Sequence, residues 1–108
     1  MNSKVTSGVD HTKLNENKSI EPPVVNSPNG DVNNPVNFSG TALAGWMVVV
    51  VSVPIDGTEL ASATADGNGN WTNDFNLDVR SYSAVAFQTN NRERSPFTKI
   101  FDFKVVGP

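Results

Sequence analysis

The sequence predicts an all-β protein built as an antiparallel sandwich or barrel. Short β-type runs recur about every ten residues after position 21, and Gly, Pro, Asn and Asp separate them. No segment requires a helix. With 108 residues the chain is long enough for one domain only.

We expect about seven strands after an N-terminal segment. Residues 1–21 show no sustained apolar period and predict a disordered, flexible tail or linker, so the sandwich is expected over residues 22–108. The first strand carries prolines at both ends, which favours a sheet edge because Pro cannot donate to a ladder. The predicted strands are residues 22–28, 36–42, 46–53, 58–65, 71–77, 83–89 and 97–106.

Turn chemistry separates these strands. Asn29-Gly30-Asp31 predicts a turn after the first strand, and Asp56-Gly57 predicts a hairpin turn. Gly67 and Gly69 supply positive φ angles between the fourth and fifth strands. Residues 90–94 form a polar loop.

Composition argues against several classes of function. A net charge of -3, from 8 basic and 11 acidic residues, provides no basic patch for nucleic acid or anionic lipid. The longest apolar run, residues 46–51, is too short for membrane insertion. The chain has no Cys, and its single histidine, His11, lies in the polar tail, so we expect no catalytic residues, metal or cofactor and no enzyme activity.

Several motifs carry a family resemblance across residues 22–106. They are Pro35-Val36-Asn37-Phe38-Ser39-Gly40-Thr41-Ala42, Ala44-Gly45 before a Val-rich strand, Asp56-Gly57-Thr58, Ala63-Thr64-Ala65-Asp66-Gly67-Asn68-Gly69-Asn70-Trp71, and Ser95-Pro96 before the last strand. This pattern resembles the bacterial immunoglobulin-like domains of surface adhesins and other exported proteins. The resemblance implies an immunoglobulin-like antiparallel β-sandwich at the bacterial surface or outside the cell. It also implies neighbouring domains or other proteins as partners.

The central strand departs from the family pattern. The family alternates Val with Thr, whereas this chain has apolar residues at every position from Met47 to Val51. In the family register Val48 and Val50 point into the core, together with Phe38, Val85, Phe87, Phe101 and Phe103. The opposite face would then carry an apolar patch, extended by Ala84, Ala86 and Ile100, and its strand residues are Met47, Val49, Val51 and Val53.

Two interpretations of this patch stay open. It is a contact surface for a neighbouring domain, a second copy or another protein, or it is covered by residues 1–21 or removed by a register slip. If it is a contact surface, substituting Val49 and Val51 with Thr should leave folding intact and abolish association.

Other side chains are candidates for binding. Trp46 opens the central strand beside a turn, where an indole could stack on a sugar ring. Arg92 and Arg94 lie in a loop at one end of the sandwich, where binding functions are often placed. Asp66 and Asp74 could contribute to a weak calcium site, although the spacing does not fit an EF-hand.

Two aromatic residues are expected to be structural. Trp71 directly follows a Gly-rich turn, where its indole can cover the end of the core. Tyr82 begins the penultimate strand, where sandwich folds often bond a Tyr hydroxyl to the backbone.

The sequence favours a non-enzymatic structural spacer, or an adhesion or interaction module, of a bacterial surface or secreted protein. One alternative is a carbohydrate-binding accessory module that uses Trp46 and the end loops to hold a glycan. Another is a small secreted protein that assembles with itself through the apolar strand face.

Overall fold

The computed structural model describes residues 14–55 and 58–107, and these residues form an all-β structure. The predicted tail up to residue 13, including His11, and the Asp56-Gly57 turn lie outside the described residues. The described strands are β1 (Asn15–Glu16), β2 (Val24–Ser27), β3 (Gly30–Asn33), β4 (Val36–Thr41), β5 (Met47–Ser52), β6 (Glu59–Thr64), β7 (Asn70–Phe75), β8 (Ser81–Asn90), β9 (Glu93–Arg94) and β10 (Phe101–Gly107).

The strands form two sheets. The small sheet is antiparallel, with the order β2-β4-β7. The large sheet is organised around β8, which pairs antiparallel with β5 on one side and with β10 and β9 on the other. β6 pairs antiparallel with β5, while β3 runs parallel to β10 and β1 runs parallel to β9.

This architecture confirms the predicted immunoglobulin-like sandwich. One layer contains β4 and β7, and the facing layer contains β5, β8 and β10, which is the division of strands typical of that fold. The chain reaches the small sheet first through β2 and then crosses to the large sheet at β3. Within residues 14–55 and 58–107 no helix is long and apolar enough to cross a membrane.

The seven predicted strands correspond to β2, β4, β5, β6, β7, β8 and β10, with bounds that differ by up to four residues. Three further strands were not predicted. β3 occupies the expected Asn29-Gly30-Asp31 turn and pairs with β10 from Gly30 onward. β1 and β9, of two residues each, pair with one another within the expected tail and polar loop.

The main core lies between the two sheets. Phe38, Val48 and Val50 are fully buried in it, as predicted, and Val36 is fully buried in the same cluster. Phe103 packs edge-on against Phe38, with ring centroids 5.8 Å apart. The remaining buried apolar residues of this cluster are Leu60, Ala61, Ala63, Ala65, Trp71, Tyr82, Ala84, Ala86 and Val105, and Phe101 packs against it half-buried.

Both structural aromatics behave as predicted. Trp71 is buried where β7 begins. The Tyr82 hydroxyl donates a hydrogen bond of 2.8 Å to the backbone carbonyl of Asp78, four residues upstream. This bond fixes the connection into β8, as the corresponding tyrosine does in other sandwiches.

Gly40 allows β2 to lie close to the core. A Cβ at this position would sit 1.8 Å from the carbonyl oxygen of Val24 and 3.0 Å from the Trp71 ring. Any larger residue would therefore push β2 away from β4. Position 40 therefore requires glycine, because the backbones of β2 and β4 approach too closely for a Cβ.

Residues 14 and 107, the first and last residues that the structure describes, lie at opposite ends of the sandwich. At one end, which we term the first pole, the backbone N–H of Asn15 donates to the carbonyl of Arg92, just beyond the last residue of β8. At the other end, the second pole, the N–H of Asn34 donates to the carbonyl of Gly107, beyond the first residue of β8. The ten residues of β8 span the roughly 30 Å between the poles.

Candidate functional site

The apolar face predicted as a contact surface is covered in the structure. Val49 and Val51 do point away from the main core, but both are 0% exposed. They pack with Val85 and Phe87 of β8, and we term these four residues the outer cluster. Val49 and Val51 therefore do not form a bare contact surface. The second interpretation of the patch, a covered face, is the one observed, and Met47 and Val53 are half-buried against the cluster.

The register of β8 against β5 also differs from the prediction. Val49 pairs with Phe87 and Val51 with Val85, so the two large β8 residues belong to the outer cluster. Ala84 and Ala86 face the main core instead, where the bulky rings of the facing sheet already occupy the space. Ile100, the third residue expected on the patch, is 59% exposed.

Two segments of the same chain cover the outer cluster. One is the stretch after β9, in which Phe97 packs edge-on against Phe87 with ring centroids 5.8 Å apart. It follows β8 through hydrogen bonds from Ser95 N to Gln88 O and from Thr98 N to Ala86 O. The other is residues 14–17, which we term the strap, and its Leu14 packs against the cluster.

Arg94 links the two covering segments. Its guanidinium carbon lies 4.5 Å above the centroid of Phe97, and Nη1 donates to the carbonyl of Ser95 at 3.0 Å. Nη2 lies 3.7 Å from the Glu16 carboxylate of the strap. The Arg94 side chain is 15% exposed, so this residue belongs to the cover rather than to a solvated loop.

Arg92 has a separate role from Arg94. It is exposed, and with Asn91 it forms the two-residue turn between β8 and β9, where Asn90 pairs with Glu93. Both turn residues have positive φ, 53° at Asn91 and 67° at Arg92, as a type I′ hairpin turn requires. The sequence predicted both arginines as loop residues available for binding. In the structure Arg92 is exposed, whereas Arg94 is largely buried in the cover.

Trp46 lies at the first pole. Its indole is half-buried, and its backbone bonds to Leu43 O and Ala65 N hold the turn before β5. Leu43 of the same turn is 46% exposed. A role for Trp46 in binding a sugar ring stays a prediction.

The Asp66 carboxylate closes its own turn. Its Oδ1 accepts hydrogen bonds from the backbone N–H groups of Asn68 at 2.9 Å and Asn70 at 3.0 Å. The N–H bonds from Asn70 and then Asn68 hold the pKa of this carboxyl below its ordinary value. Asp74, four residues into β7, accepts from Asn37 Nδ2 at 2.9 Å.

Strand geometry keeps Asp66 and Asp74 apart. The four residue steps of β7 between Asn70 and Asp74 advance the chain by roughly 13 Å, which is too far for both carboxylates to bind one ion. Among the described residues no group of three or more His, Cys, Asp or Glu side chains converges to hold a metal.

Two features of the structure were missed by sequence reasoning. The first is Gln88, a buried side chain at the first pole, whose Nε2 donates to Glu21 O at 2.7 Å and whose Oε1 accepts from Leu43 N at 2.8 Å. It ties the chain after the strap to the turn before β5. A lone glutamine after the apolar run Ala84 to Phe87 is the signal that could have identified it.

The second feature is a shallow polar groove of about 390 Å³ near the second pole. Three strands distant in sequence line it, because Lys104 of β10 pairs with both Asp31 of β3 and Ser81 of β8. Two residues along the same strands, Ser83 of β8 pairs with Asp102 of β10, and Ser83 Oγ donates to Asp102 Oδ1 at 2.6 Å. The groove presents hydroxyls and charges of both signs on an open sheet face.

Comparison with known proteins bears on the fold alone. No protein-family model matches the chain, and no curated protein sequence matches it. A crystal structure of an uncharacterized protein from Bacillus anthracis str. Ames is similar over 100% of this chain and 96% of that chain, with a TM-score of 0.51 and 12% identity.

Two other solved structures are similar at lower scores. CopC from Methylosinus trichosporium OB3b matches 79% of this chain and 94% of its own, with a TM-score of 0.48 and 13% identity. A protease structure matches 80% of this chain with a TM-score of 0.47 and 17% identity, but the match spans only 18% of that chain.

Proposed function

We propose that this chain is a non-enzymatic spacer module of a bacterial surface or secreted protein, with neighbouring domains as its immediate partners. The observation that carries the proposal is the separation of the two poles. Residue 14 lies at the first pole and Gly107 at the second, roughly 30 Å away along β8. A module with this geometry adds length to a chain of domains without needing a ligand site.

The attachment of both end segments supports the proposal. β10, which leads to Gly107, is paired on both sides, with β8 and with β3. At the first pole the strap is held by β9, and the chain after the strap is held by Gln88. Tension applied through the two poles would act on paired strands rather than on unpaired loops.

The covered outer cluster also supports a spacer. Because the strap and Phe97 bury the large apolar residues of β5 and β8, the broad face of the large sheet is not a bare apolar surface there. Farther along the same face, nearer the second pole, lies the groove lined by Asp31, Ser81 and Lys104. The outer cluster is therefore part of the folded module and leaves no bare apolar face on β5 and β8.

Small-angle X-ray scattering of two copies fused head to tail tests the proposal. The expected result is a maximum dimension at least about 30 Å greater than that of the single chain, since each copy adds its pole-to-pole length. Two copies fused through a long Gly/Ser linker serve as the control for unconstrained packing. A head-to-tail fusion as compact as two copies lying side by side would contradict the proposal.

A further inference from the structure

We infer that the outer cluster and β9 together form an acceptor site for an extended strand, and that the strap of a second copy of this chain can occupy it. This inference does not depend on the spacer function. It rests on how the strap is bound within one chain, because that arrangement shows what the site recognises.

The strap binds in the manner of an added β-strand. Its backbone N–H groups at Asn15 and Asn17 donate to the carbonyls of Arg92 and Arg94, at 2.9 and 2.8 Å. The pairing is parallel and extends over two residues. Such backbone bonds provide affinity for any extended segment, and side-chain pockets then provide specificity.

Two side chains of the strap contact the site. Leu14 packs against the outer cluster, and Glu16, two residues later, lies 3.7 Å from Arg94 Nη2. Residues two apart in a strand share one face, so the site recognises an apolar residue followed at the second position by a carboxylate. On the other face, Asn17 Nδ2 donates to Glu93 Oε1 at 3.2 Å.

The hinge that follows the strap is short. Residues 18–23 connect it to β2 in the small sheet, and this hinge includes Pro22 and Pro23. A strap supplied by a second copy would repeat the contacts that residues 14–17 make within one chain. Exchange then costs the entropy of association and any change in the hinge, where Glu21 O accepts a hydrogen bond from Gln88 Nε2. Short hinge loops favour such exchange.

Concentration decides which arrangement prevails. A short tether holds the strap near its own site at an effective concentration in the millimolar range, so exchange between free chains becomes substantial only as the protein approaches about 1 mM.

Disulfide cross-linking of full-length chains tests the inference, because the native chain contains no cysteine. Asn15 and Glu93 are paired residues, so one chain carries Asn15→Cys and the other Glu93→Cys. A chain with both substitutions checks that the disulfide forms in this register. The control mixture pairs Asn15→Cys with Thr72→Cys, an exposed position on the small sheet.

Strap exchange predicts that the Asn15→Cys and Glu93→Cys mixture, refolded together at about 1 mM, gives roughly tenfold more heterodimer than the control mixture. It also predicts that light scattering of the unsubstituted chain detects a dimer at about 1 mM that dissociates at micromolar concentration. A heterodimer yield equal to that of the control would overturn the inference. So would an unsubstituted chain that stays monomeric at about 1 mM.

Discussion

At the scale of single residues, Gln88 shows how one buried polar side chain can join two segments. Its amide reaches Glu21 on the chain that follows the strap and Leu43 in the turn before β5. The side chain is 2% exposed and satisfied at both ends. Such a group stabilises the fold while both partners are present and is costly to remove.

Replacing Gln88 with Leu should destabilise the protein by about 1 to 3 kcal/mol, because the Glu21 carbonyl and the Leu43 N–H would lose their shared partner. Urea unfolding followed by fluorescence measures the effect. Asn76→Leu, at an exposed position, is the matched control and should change stability by less than about 0.5 kcal/mol. Equal effects of the two substitutions would contradict this assignment.

Asp66 gives the turn before β7 a dependence on pH. Its pKa in the folded protein lies below the ordinary value of 3.8, because backbone N–H groups bond the charged form. The stabilisation is therefore complete above pH 3.8 and is lost as the pH falls through the folded pKa.

Asp66→Asn keeps an acceptor oxygen but does not titrate, so it isolates this effect. We expect the stability difference between the native chain and the variant to be constant above pH 3.8 and to change in favour of the variant at lower pH. Thermal unfolding at a series of pH values measures it. A stability difference that is independent of pH across this range would show that the Asp66 carboxylate does not stabilise the turn.

At the scale of elements, the two faces of β5 explain its unusual sequence. A strand with one solvated face alternates apolar and polar residues, whereas β5 is apolar from Met47 to Val51 because both faces are buried there. Val48 and Val50 face the small sheet, and Val49 and Val51 face the strap and Phe97. Continuous apolar residues in β5 therefore signal a second covering layer rather than a bare surface.

Val49→Thr should destabilise the fold by about 1 to 3 kcal/mol, because a hydroxyl would be buried in the outer cluster without a partner. This reverses the expectation that folding would be unaffected. Val106→Thr, at a position that is 43% exposed, provides the control and should be nearly neutral. Denaturant unfolding compares the two, and a Val49→Thr chain as stable as the control would show that the cluster is open to water.

The elements that the sequence predicted are those with a strong period or strong turn chemistry. β4 and β7 were placed to within two residues because Phe38 and Trp71 anchor apolar positions between turns rich in Gly and Asn. β3 was missed because Asn29-Gly30-Asp31 has the composition of a turn. β1 and β9 have two residues each, too few to show any period.

At the scale of the whole molecule, the features that sequence reasoning left open or missed depend on contacts between distant segments. The outer cluster is covered because Leu14 and Phe97 pack against it from distant parts of the chain. The polar groove exists because the register brings Asp31 beside Lys104. Local patterns predict which residues are apolar or charged. Which segments lie beside them depends on long-range pairing, of β9 with β1 and of β10 with β3.

The described chain runs from the first pole of the sandwich to the second. The absence of native cysteine allows spin labels to be attached at Asn15→Cys, beside the first pole, and Val106→Cys, beside the second. Pulsed electron paramagnetic resonance then measures the distance between the labels in the folded chain. We expect a single distribution centred at roughly 30 Å, and a distance below about 20 Å would contradict the separation of the two poles.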